Sequence, residues 1–212
     1  SNLCENVGAK VQDVARVMGR DGRISPKFLH AGPGYGGSCF PKDTRALAEI
    51  GKKYDARLHL VEQTVESNER QKSVMVKKVL SYFGDVSEKT FGVLGLAFKP
   101  RTDDMRESPA ITILSELGEK GARFRAYDPE AMEEASWRLT HLDEQIAFVA
   151  DEYEAMAGVD ALLLITEWHQ FRSLDLERAK ELMNSPVFFD FRNIYERSMV
   201  EGYGFTYFGV GV

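Results

Sequence analysis

The chain has 212 residues, 43% of them apolar, and a net charge of −6 at pH 7, so a packed protein of one large or two small domains is expected. The acidic balance, without a run of Lys or Arg, argues against a nucleic-acid-binding surface. No apolar run reaches membrane-spanning length, no signal peptide opens the sequence, and the two cysteines fit a reducing cytoplasm better than a disulfide framework. The four histidines lie far apart, so no metal site is predicted.

The first part of the chain has the apolar periodicity of helices. Val7, Val11, Val14 and Met18 predict a helix over 7–18. A short helix is expected over 46–54, and a long one from about 58 to 83, ended by a glycine at 84. Polar residues at 68–72 interrupt the apolar stripe of the long helix. That helix is therefore either a link that pairs with a second subunit or a plain amphipathic surface helix.

From residue 89 onward, short apolar runs alternate with helical segments, which is typical of βαβ units and a mostly parallel sheet. The runs predict strands at 90–96, 123–127, 147–149, 161–165, 187–190 and 205–208. The segments between them predict helices over 110–120, 130–135, 153–157 and 175–184. An α/β protein is expected, with a helical central region at 1–84 followed by a Rossmann-like domain at 85–212.

The most informative segment is Gly32-Pro33-Gly34-Tyr35-Gly36-Gly37-Ser38-Cys39-Phe40-Pro41-Lys42-Asp43. Its four glycines allow positive φ and close approach of the backbone to a ligand. A helix is expected to begin after it, with Asp43 or Thr44 as the N-cap. A thiol before a helix N-terminus and beside Lys42 is expected to act as a thiolate nucleophile. The alternative is that Cys39 is a small buried residue and that the glycines only form turns.

A second candidate site follows the first strand of the α/β domain. Lys99 and Arg106 lie in the loop, and Ser108 and Pro109 are expected as the N-cap and first residue of the next helix. Open α/β sheets bind ligands beyond the carboxyl ends of their strands, and a helix N-terminus there favours phosphate. The two cations therefore predict an anion site, and the alternative is solvated surface charge.

The same strand lacks a dinucleotide-binding fingerprint. Gly92 and Gly95 do not have the required spacing, and Asp128 lies about 33 positions beyond Gly95, where a ribose-binding carboxylate is expected about 20 positions on. NAD is therefore not expected as the primary ligand of this domain's own crevice.

The glycine–cysteine segment, with Phe28-Leu29-His30-Ala31 before it, resembles the active-site signature of the nucleotide-sugar 6-dehydrogenases, and the UDP-glucose branch most of all. The segment Phe98-Lys99-Pro100-Arg101-Thr102-Asp103-Asp104-Met105-Arg106-Glu107-Ser108-Pro109 resembles a second signature of that family. The resemblance implies that Cys39 traps the C6 aldehyde of UDP-glucose as a thiohemiacetal. Hydride transfer to NAD then gives a thioester, and water releases UDP-glucuronate.

The resemblance also implies roles for other residues. Asp43 is expected to position or activate the hydrolytic water, and Lys42 and Arg106 are expected on the cofactor side. Phe191, directly before the substrate-binding candidate Arg192, stands where the family often has glycine. The substrate-binding candidates are Phe28, Leu29 and Gly32 along the uridine and phosphates, Gly36 beside the sugar, Lys99 on the sugar nucleotide, Arg23 across a dimer and Arg192 at the substrate or subunit boundary.

In the resembled family this sequence corresponds to the C-terminal part, and an NAD-binding domain is expected upstream of it. The chain is expected to bind UDP-glucose, to form a homodimer through its central helices and to be inactive alone. Three alternatives stay open. The substrate could be GDP-mannose or a UDP-N-acetyl-hexosamine, the chain could be a non-catalytic nucleotide-sugar-binding and dimerisation module, or Cys39 could serve a thiol hydrolase with His30 as its base.

Overall fold

The computed structural model describes all residues, 1–212, and the first 83 of them are mainly helical. The helices there are α1 (Asn2–Val7), α2 (Val11–Met18), α3 (Cys39–Lys53) and α4 (His59–Phe83). The single helix predicted over 7–18 is wrong at its start, because Gly8 adopts a left-handed φ of 70° and ends α1. Gly84 ends α4 as predicted. None of the helices is both long and apolar enough to cross a membrane.

Helix α3 begins at Cys39, several residues before the predicted N-cap. Ser38 is the N-cap, and Pro41 falls in the first turn, where a missing N–H group is tolerated. Asp43 therefore lies inside the helix, and the capping role predicted for it or Thr44 is wrong. The Thr44 hydroxyl instead donates to a backbone carbonyl one turn back, at 2.6 Å.

From Thr90 onward the chain forms a six-stranded sheet in which all neighbouring strands are parallel. The strands are β1 (Thr90–Leu94), β2 (Arg123–Tyr127), β3 (Ile146–Phe148), β4 (Ala161–Leu164), β5 (Val187–Asp190) and β6 (Thr206–Phe208). Their order in the sheet is β3-β2-β1-β4-β5-β6, so the direction of winding reverses between β1 and β4. The predicted fold class and all six predicted strands are confirmed.

Five further helices flank the sheet. They are α5 (Pro109–Gly118), α6 (Met132–Arg138), α7 (Glu152–Met156), α8 (Leu176–Leu182) and α9 (Arg197–Gly202). The first four lie within a few residues of their predicted positions, and Ser108 caps α5 as predicted by accepting the N–H of Ala110 at 3.3 Å. Helix α9 was not predicted, because it is short and buries only Val200.

The apolar core begins within α4. Met75, Val76 and Val79 are buried in a cluster of 45 residues that includes the strands, and the Phe83 ring packs edge-on against Phe91 of β1, with 5.5 Å between ring centroids. The C-terminal half of α4 is therefore part of the α/β core, and the plain surface helix is the wrong alternative for that half. The domain division at residue 84 stays a prediction.

Candidate active site

Loops at the carboxyl ends of three strands line a cleft of about 560 Å³. Lys99 follows β1, Glu167 follows β4 and Arg192 follows β5, while Gly32 and Gly36 of the glycine segment line it as well. Because the winding reverses between β1 and β4, this edge of the sheet is where a ligand is expected. The cleft thus lies between the α/β sheet and the glycine segment, and two of its three charged residues are cations.

A smaller pocket of about 350 Å³ adjoins the cleft and contains the predicted nucleophile. Cys39 lines only this pocket and is exposed, so the alternative of a buried cysteine is wrong. Its Sγ lies 3.7 Å from the Ser38 hydroxyl oxygen, which is its single side-chain hydrogen-bond contact. The residues shared by the cleft and the pocket are Gly36, Phe40, Phe98 and Lys99.

The start of α3 determines the surroundings of the thiol. Cys39 is the first helical residue, so the positive end of the helix dipole favours negative charge on its sulfur. No side chain caps this end, which leaves first-turn N–H groups for solvent or a ligand. Asp43 lies one turn further along the same face, with its carboxylate 3.4 Å from the Lys42 ammonium. Both side chains are mostly exposed, and neither lines the cleft or the pocket.

Two polar side chains of α4 hold the glycine segment. Asn68 accepts the N–H of Tyr35 at 2.8 Å and donates to the Tyr35 carbonyl at 3.0 Å, and Gln71 donates to the Gly32 carbonyl at 3.0 Å. A Cβ on Gly34, whose φ is 120°, would lie 2.9 Å from the Asn68 amide oxygen. These residues belong to the polar interruption of the α4 stripe. Sequence reasoning missed their function, because polar residues on a helix are usually solvated.

Gly36 and Gly37 allow the glycine segment to pack against the loop after β1. A Cβ on Gly37, whose φ is 86°, would lie 2.7 Å from the Phe98 ring, and one on Gly36 would collide with the Glu107 carbonyl. The N–H of Gly37 donates to the Arg106 carbonyl at 2.7 Å. The two signature segments, about 60 residues apart in sequence, therefore form one continuous surface.

Arg192 is fixed in the wall of the cleft. Its guanidinium donates to the carbonyls of Ile165 and Phe98 at 2.7 and 3.1 Å, and its Nε lies 3.0 Å from a Glu167 oxygen. That oxygen accepts no hydrogen bond, because the Nε–H is directed at Ile165, so the pair is held by charge alone. Burial lowers the pKa of Arg192, and attraction to Glu167 and Asp190 acts in the opposite direction. Glu167 was not predicted, since no pattern marks it.

The predicted cofactor residue Arg106 is bonded to Asp104, a residue that lines the smaller pocket. It forms a two-pronged pair with Asp104, at 2.9 and 2.8 Å. This pair raises the pKa of Arg106, and the charges of Asp104 and of the Cys39 thiolate act in the same direction. Arg106 does not line the smaller pocket, whereas its partner Asp104 does.

The other predicted residues are divided between the cleft and the surface. Phe28 lines the larger cleft with 86% of its side chain exposed. Leu29 borders a separate pocket of about 270 Å³ that meets Arg192 from the side of α2. Arg23 lies outside all of these pockets, bonded to Asp21 at 2.9 and 2.6 Å.

His30 does not form a catalytic pair with Cys39. It lines the larger cleft, Cys39 lines only the smaller pocket, and no hydrogen bond joins the two side chains. A thiol hydrolase needs its base within hydrogen-bond reach of the thiol, so this geometry does not support that alternative.

The sheet's own crevice is a poor dinucleotide site. Asp128 is fully buried and its two oxygens accept five N–H groups, which leaves no oxygen for a ribose. A Cβ on Gly95 would collide with Thr166, so that glycine serves packing between β1 and β4. The five donors are the backbone N–H groups of Leu96, Ala97, Glu130 and Ala131 and the indole N–H of Trp168.

Comparisons with known proteins agree on one family. Residues 1–70 match the central domain of the UDP-glucose/GDP-mannose dehydrogenase family, and residues 92–197 match its UDP binding domain. The UDP-glucose 6-dehydrogenase of Rhizobium meliloti is 51% identical over 212 residues, 100% of this chain and 48% of that protein. The UDP-glucose 6-dehydrogenase TuaD of Bacillus subtilis is 44% identical over 211 residues, 100% of this chain and 45% of that protein.

A solved structure is similar throughout most of the chain. A UDP-glucose dehydrogenase from the hyperthermophilic archaeon Pyrobaculum islandicum is 33% identical, with a TM-score of 0.80 over 91% of this chain and 42% of that one. The chain spans about half the length of the curated relatives it matches.

Proposed function

Because this chain belongs to the UDP-glucose/GDP-mannose dehydrogenase family, we propose that it forms the C-terminal part of an NAD-dependent UDP-glucose 6-dehydrogenase. The observation that carries the proposal is the junction between the exposed thiol of Cys39 and a cleft lined by Lys99 and Arg192. A nucleophile and an anion-binding cleft that share a wall suit a substrate with a diphosphate at one end and a reactive carbon at the other.

The larger cleft is the proposed nucleotide site. Lys99 supplies a flexible ammonium group for the diphosphate, and Arg192 supplies a preoriented guanidinium. Phe28 offers an exposed aromatic face at the rim, suited to contact with the uracil. Gly36, which lines both cavities, lets the sugar lie close to the backbone between them.

The smaller pocket is the proposed site of covalent chemistry. After oxidation of the C6 alcohol to an aldehyde, the Cys39 sulfur adds to C6 and gives a thiohemiacetal, whose hydride is then lost to leave a thioester. The dipole of α3 favours the thiolate, and open first-turn N–H groups can stabilise the oxyanion at C6. Water, positioned by Asp43, cleaves the thioester to the carboxylate and frees the thiol.

NAD supplies the acceptor for both hydrides in this proposal. The residues of this chain do not form a dinucleotide site by themselves, because both Asp128 oxygens already accept hydrogen bonds from within the chain. Lys42 and Arg106 would therefore contact NAD only from the side of Cys39. The chain alone is therefore proposed to bind the nucleotide sugar and to form no NADH. A non-catalytic binding and dimerisation module describes the isolated chain equally well.

A homodimer through the N-terminal helices completes the proposal. Val14, Val17 and Met18 of α2 and Leu47 and Ile50 of α3 are each at least 43% exposed in this chain. A second copy packed there would remove this apolar surface from water. Arg23, which lines none of the pockets of its own chain described above, is proposed to contact the substrate of the neighbouring copy.

The test uses the complete enzyme, meaning this chain joined to its NAD-binding half. Cys39→Ser should lower the rate of UDP-glucuronate formation by about a thousandfold or more, because the acyl-enzyme route is lost. Cys4→Ser is the matched control and should keep the wild-type rate. A Cys39→Ser enzyme that formed UDP-glucuronate at the normal rate would remove the nucleophile from the proposal.

A further inference from the structure

Three buried polar side chains bind the loop that follows β1. They are Ser108, Asp128 and Thr166, each at most 1% exposed, and we call them the buried frame. One Asp128 oxygen accepts the backbone N–H groups of Leu96 and Ala97, at 2.7 and 3.1 Å. The Ser108 hydroxyl donates to the Leu96 carbonyl at 2.7 Å, and the Thr166 hydroxyl donates to the Ala97 carbonyl at 2.6 Å. All four backbone polar groups of these two residues are therefore bonded to buried side chains.

The buried frame joins three separate parts of the α/β domain. Asp128 follows β2, Ser108 caps α5 and Thr166 follows β4. The indole N–H of Trp168 donates to the same Asp128 oxygen at 3.0 Å, so both neighbours of Glu167 in the cleft wall are held by this network. A buried polar group that loses its partner costs free energy, and these bonds therefore oppose any shift of the loop after β1.

That loop carries a cation of the cleft. Phe98 and Lys99 directly follow the two residues that the buried frame binds. The Phe98 N–H donates to the Asp104 carbonyl at 3.1 Å, and the Phe98 carbonyl accepts from Arg192 at 3.1 Å. The Lys99 ammonium lies 5.2 Å from the centroid of the Phe98 ring and lines both the cleft and the smaller pocket. The backbone that leads to Lys99 is thus fixed on every side, while its ammonium faces the cavities.

We propose that the buried frame positions Lys99 in the wall of the cleft, and that Thr166 is a positioning residue for nucleotide-sugar binding. A shift of Ala97 would move Lys99, two residues further on, and contact with a diphosphate depends on that placement. Asp128 lies at the end of β2, where dinucleotide-binding sheets place a ribose-binding carboxylate, but here it binds the loop instead. This inference rests on the proposed function, because it assumes that Lys99 binds the diphosphate.

Thr166 offers the sharpest test, since its hydroxyl can be removed with little change in shape. Thr166→Val leaves the Ala97 carbonyl without its donor, whereas Thr166→Ser keeps the donor. In calorimetric titration of this chain with UDP, Thr166→Val should weaken binding by roughly threefold to tenfold, and Thr166→Ser should bind as tightly as wild type. The loss in Thr166→Val should not exceed the loss in Lys99→Gln, because Thr166 acts through that lysine.

Two further variants separate positioning from a general loss of stability. Ile146→Val removes a buried methyl group at the start of β3, the end of the sheet opposite the cleft, and should leave UDP binding unchanged. In a Lys99→Gln background, Thr166→Val should cause no further weakening, because the ammonium that it positions is gone. If Thr166→Val does not fold, Ser108→Ala, which frees the Leu96 carbonyl, should give the same weakening and the same lack of additivity.

The outcomes distinguish this inference from the proposed function. Wild-type affinity in Thr166→Val, additive weakening in the double variant, or equal weakening in Ile146→Val would each overturn the role of the buried frame. If Lys99→Gln weakens UDP binding and Thr166→Val does not, only the frame is wrong. A wild-type chain that does not bind UDP, or a Lys99→Gln chain that binds it normally, would remove the proposed nucleotide site and the role of the frame with it.

Discussion

The N-terminal and C-terminal parts of the molecule differ in how far their apolar side chains are buried. Of the 17 large apolar side chains that are exposed, 13 lie before residue 61, whereas every residue of the 45-residue core lies after residue 74. The sheet is therefore well packed in this chain, and its strands β1, β4 and β5 are buried on both faces. The N-terminal helices are amphipathic but have little to pack against. The candidate active site lies along the boundary between these two regions.

This difference indicates where stability and function reside. Folding free energy comes mainly from the sheet and the second half of α4, because burial of apolar area is the dominant favourable contribution. Helices α2 and α3 bury few of their residues and leave large apolar side chains exposed. Four changes would break or sharpen the comparison, and they are given from the largest expected effect to the smallest.

A substitution in the core should lower the free energy of unfolding much more than one at an exposed position. Phe91→Ala, at a fully buried position in β1, should lower the free energy of unfolding by about 3–5 kcal/mol, because it leaves a cavity against the Phe83 ring of α4. Leu60→Ala, at a position 86% exposed, should change it by less than about 0.5 kcal/mol. Urea denaturation of both variants measures this, and similar costs would contradict the asymmetry.

The two hydrogen bonds between Asn68 and Tyr35 should contribute strongly to the local stability of the glycine segment. Asn68→Ala leaves both backbone groups of Tyr35 without a partner, at a cost of about 1–3 kcal/mol to the local structure. Hydrogen exchange at the Tyr35 amide should accelerate, while exchange at Phe91 in β1 should not. Gln63→Ala on the exposed face of α4 is the control, and unchanged protection at Tyr35 in Asn68→Ala would contradict the assignment.

The exposed apolar face of α2 should carry the self-association of the chain. Val17→Ser, at a position 68% exposed, should weaken the dimer by at least about tenfold, or 1.4 kcal/mol, as measured by analytical ultracentrifugation. Met199→Ser on α9, also exposed, is the control and should leave association unchanged. A wild-type chain that stays monomeric at high concentration would remove the dimer from the proposal.

The smallest effect concerns acid stability. The hydrogen bonds from Arg45 hold the pKa of Glu107 below its ordinary value of 4.5, against an opposing effect of burial. The stabilisation is therefore complete above pH 4.5 and is lost as the pH falls through the lower folded-state pKa. Since both side chains are partly exposed, Glu107→Gln should cost only about 0.2–1 kcal/mol at pH 7.

That cost should shrink towards zero as the pH falls below 4.5, and urea denaturation at a series of pH values measures it. Lys52→Gln, which breaks an exposed pair with Glu49 on α3, is the control and should have little effect at any pH. A cost of Glu107→Gln that stayed constant down to pH 3 would mean that the carboxylate charge is not what stabilises this contact.

The sheet could be predicted from the sequence because each of its strands is coded locally. Ala161–Leu164 and the first three residues of Val187–Asp190 are continuous apolar segments, as a parallel strand covered on both faces requires. The start of α3 was misplaced because the glycine segment is typical of a loop, and nothing local shows that the helix begins as soon as the glycines end.

The supporting residues of the site could not be predicted, because their partners are distant in the chain. Asn68 lies 33 positions from Tyr35, and Arg45 lies 62 positions from Glu107. By themselves, all four are ordinary residues of exposed helices and loops. Cys39, Lys99 and Arg106 can be found from sequence motifs. The residues that hold the two motif segments in place depend on tertiary contacts that no local pattern encodes.

The central claim is that the cleft beside Cys39 binds a uridine diphosphate sugar, and calorimetric titration of this chain with UDP-glucose, UDP and GDP tests it most directly. Both uridine ligands should bind and GDP should not, and Lys99→Gln should weaken UDP binding by about tenfold through loss of a phosphate contact. Absence of heat with either uridine ligand, or equally tight binding of GDP, would contradict the assignment of the cleft.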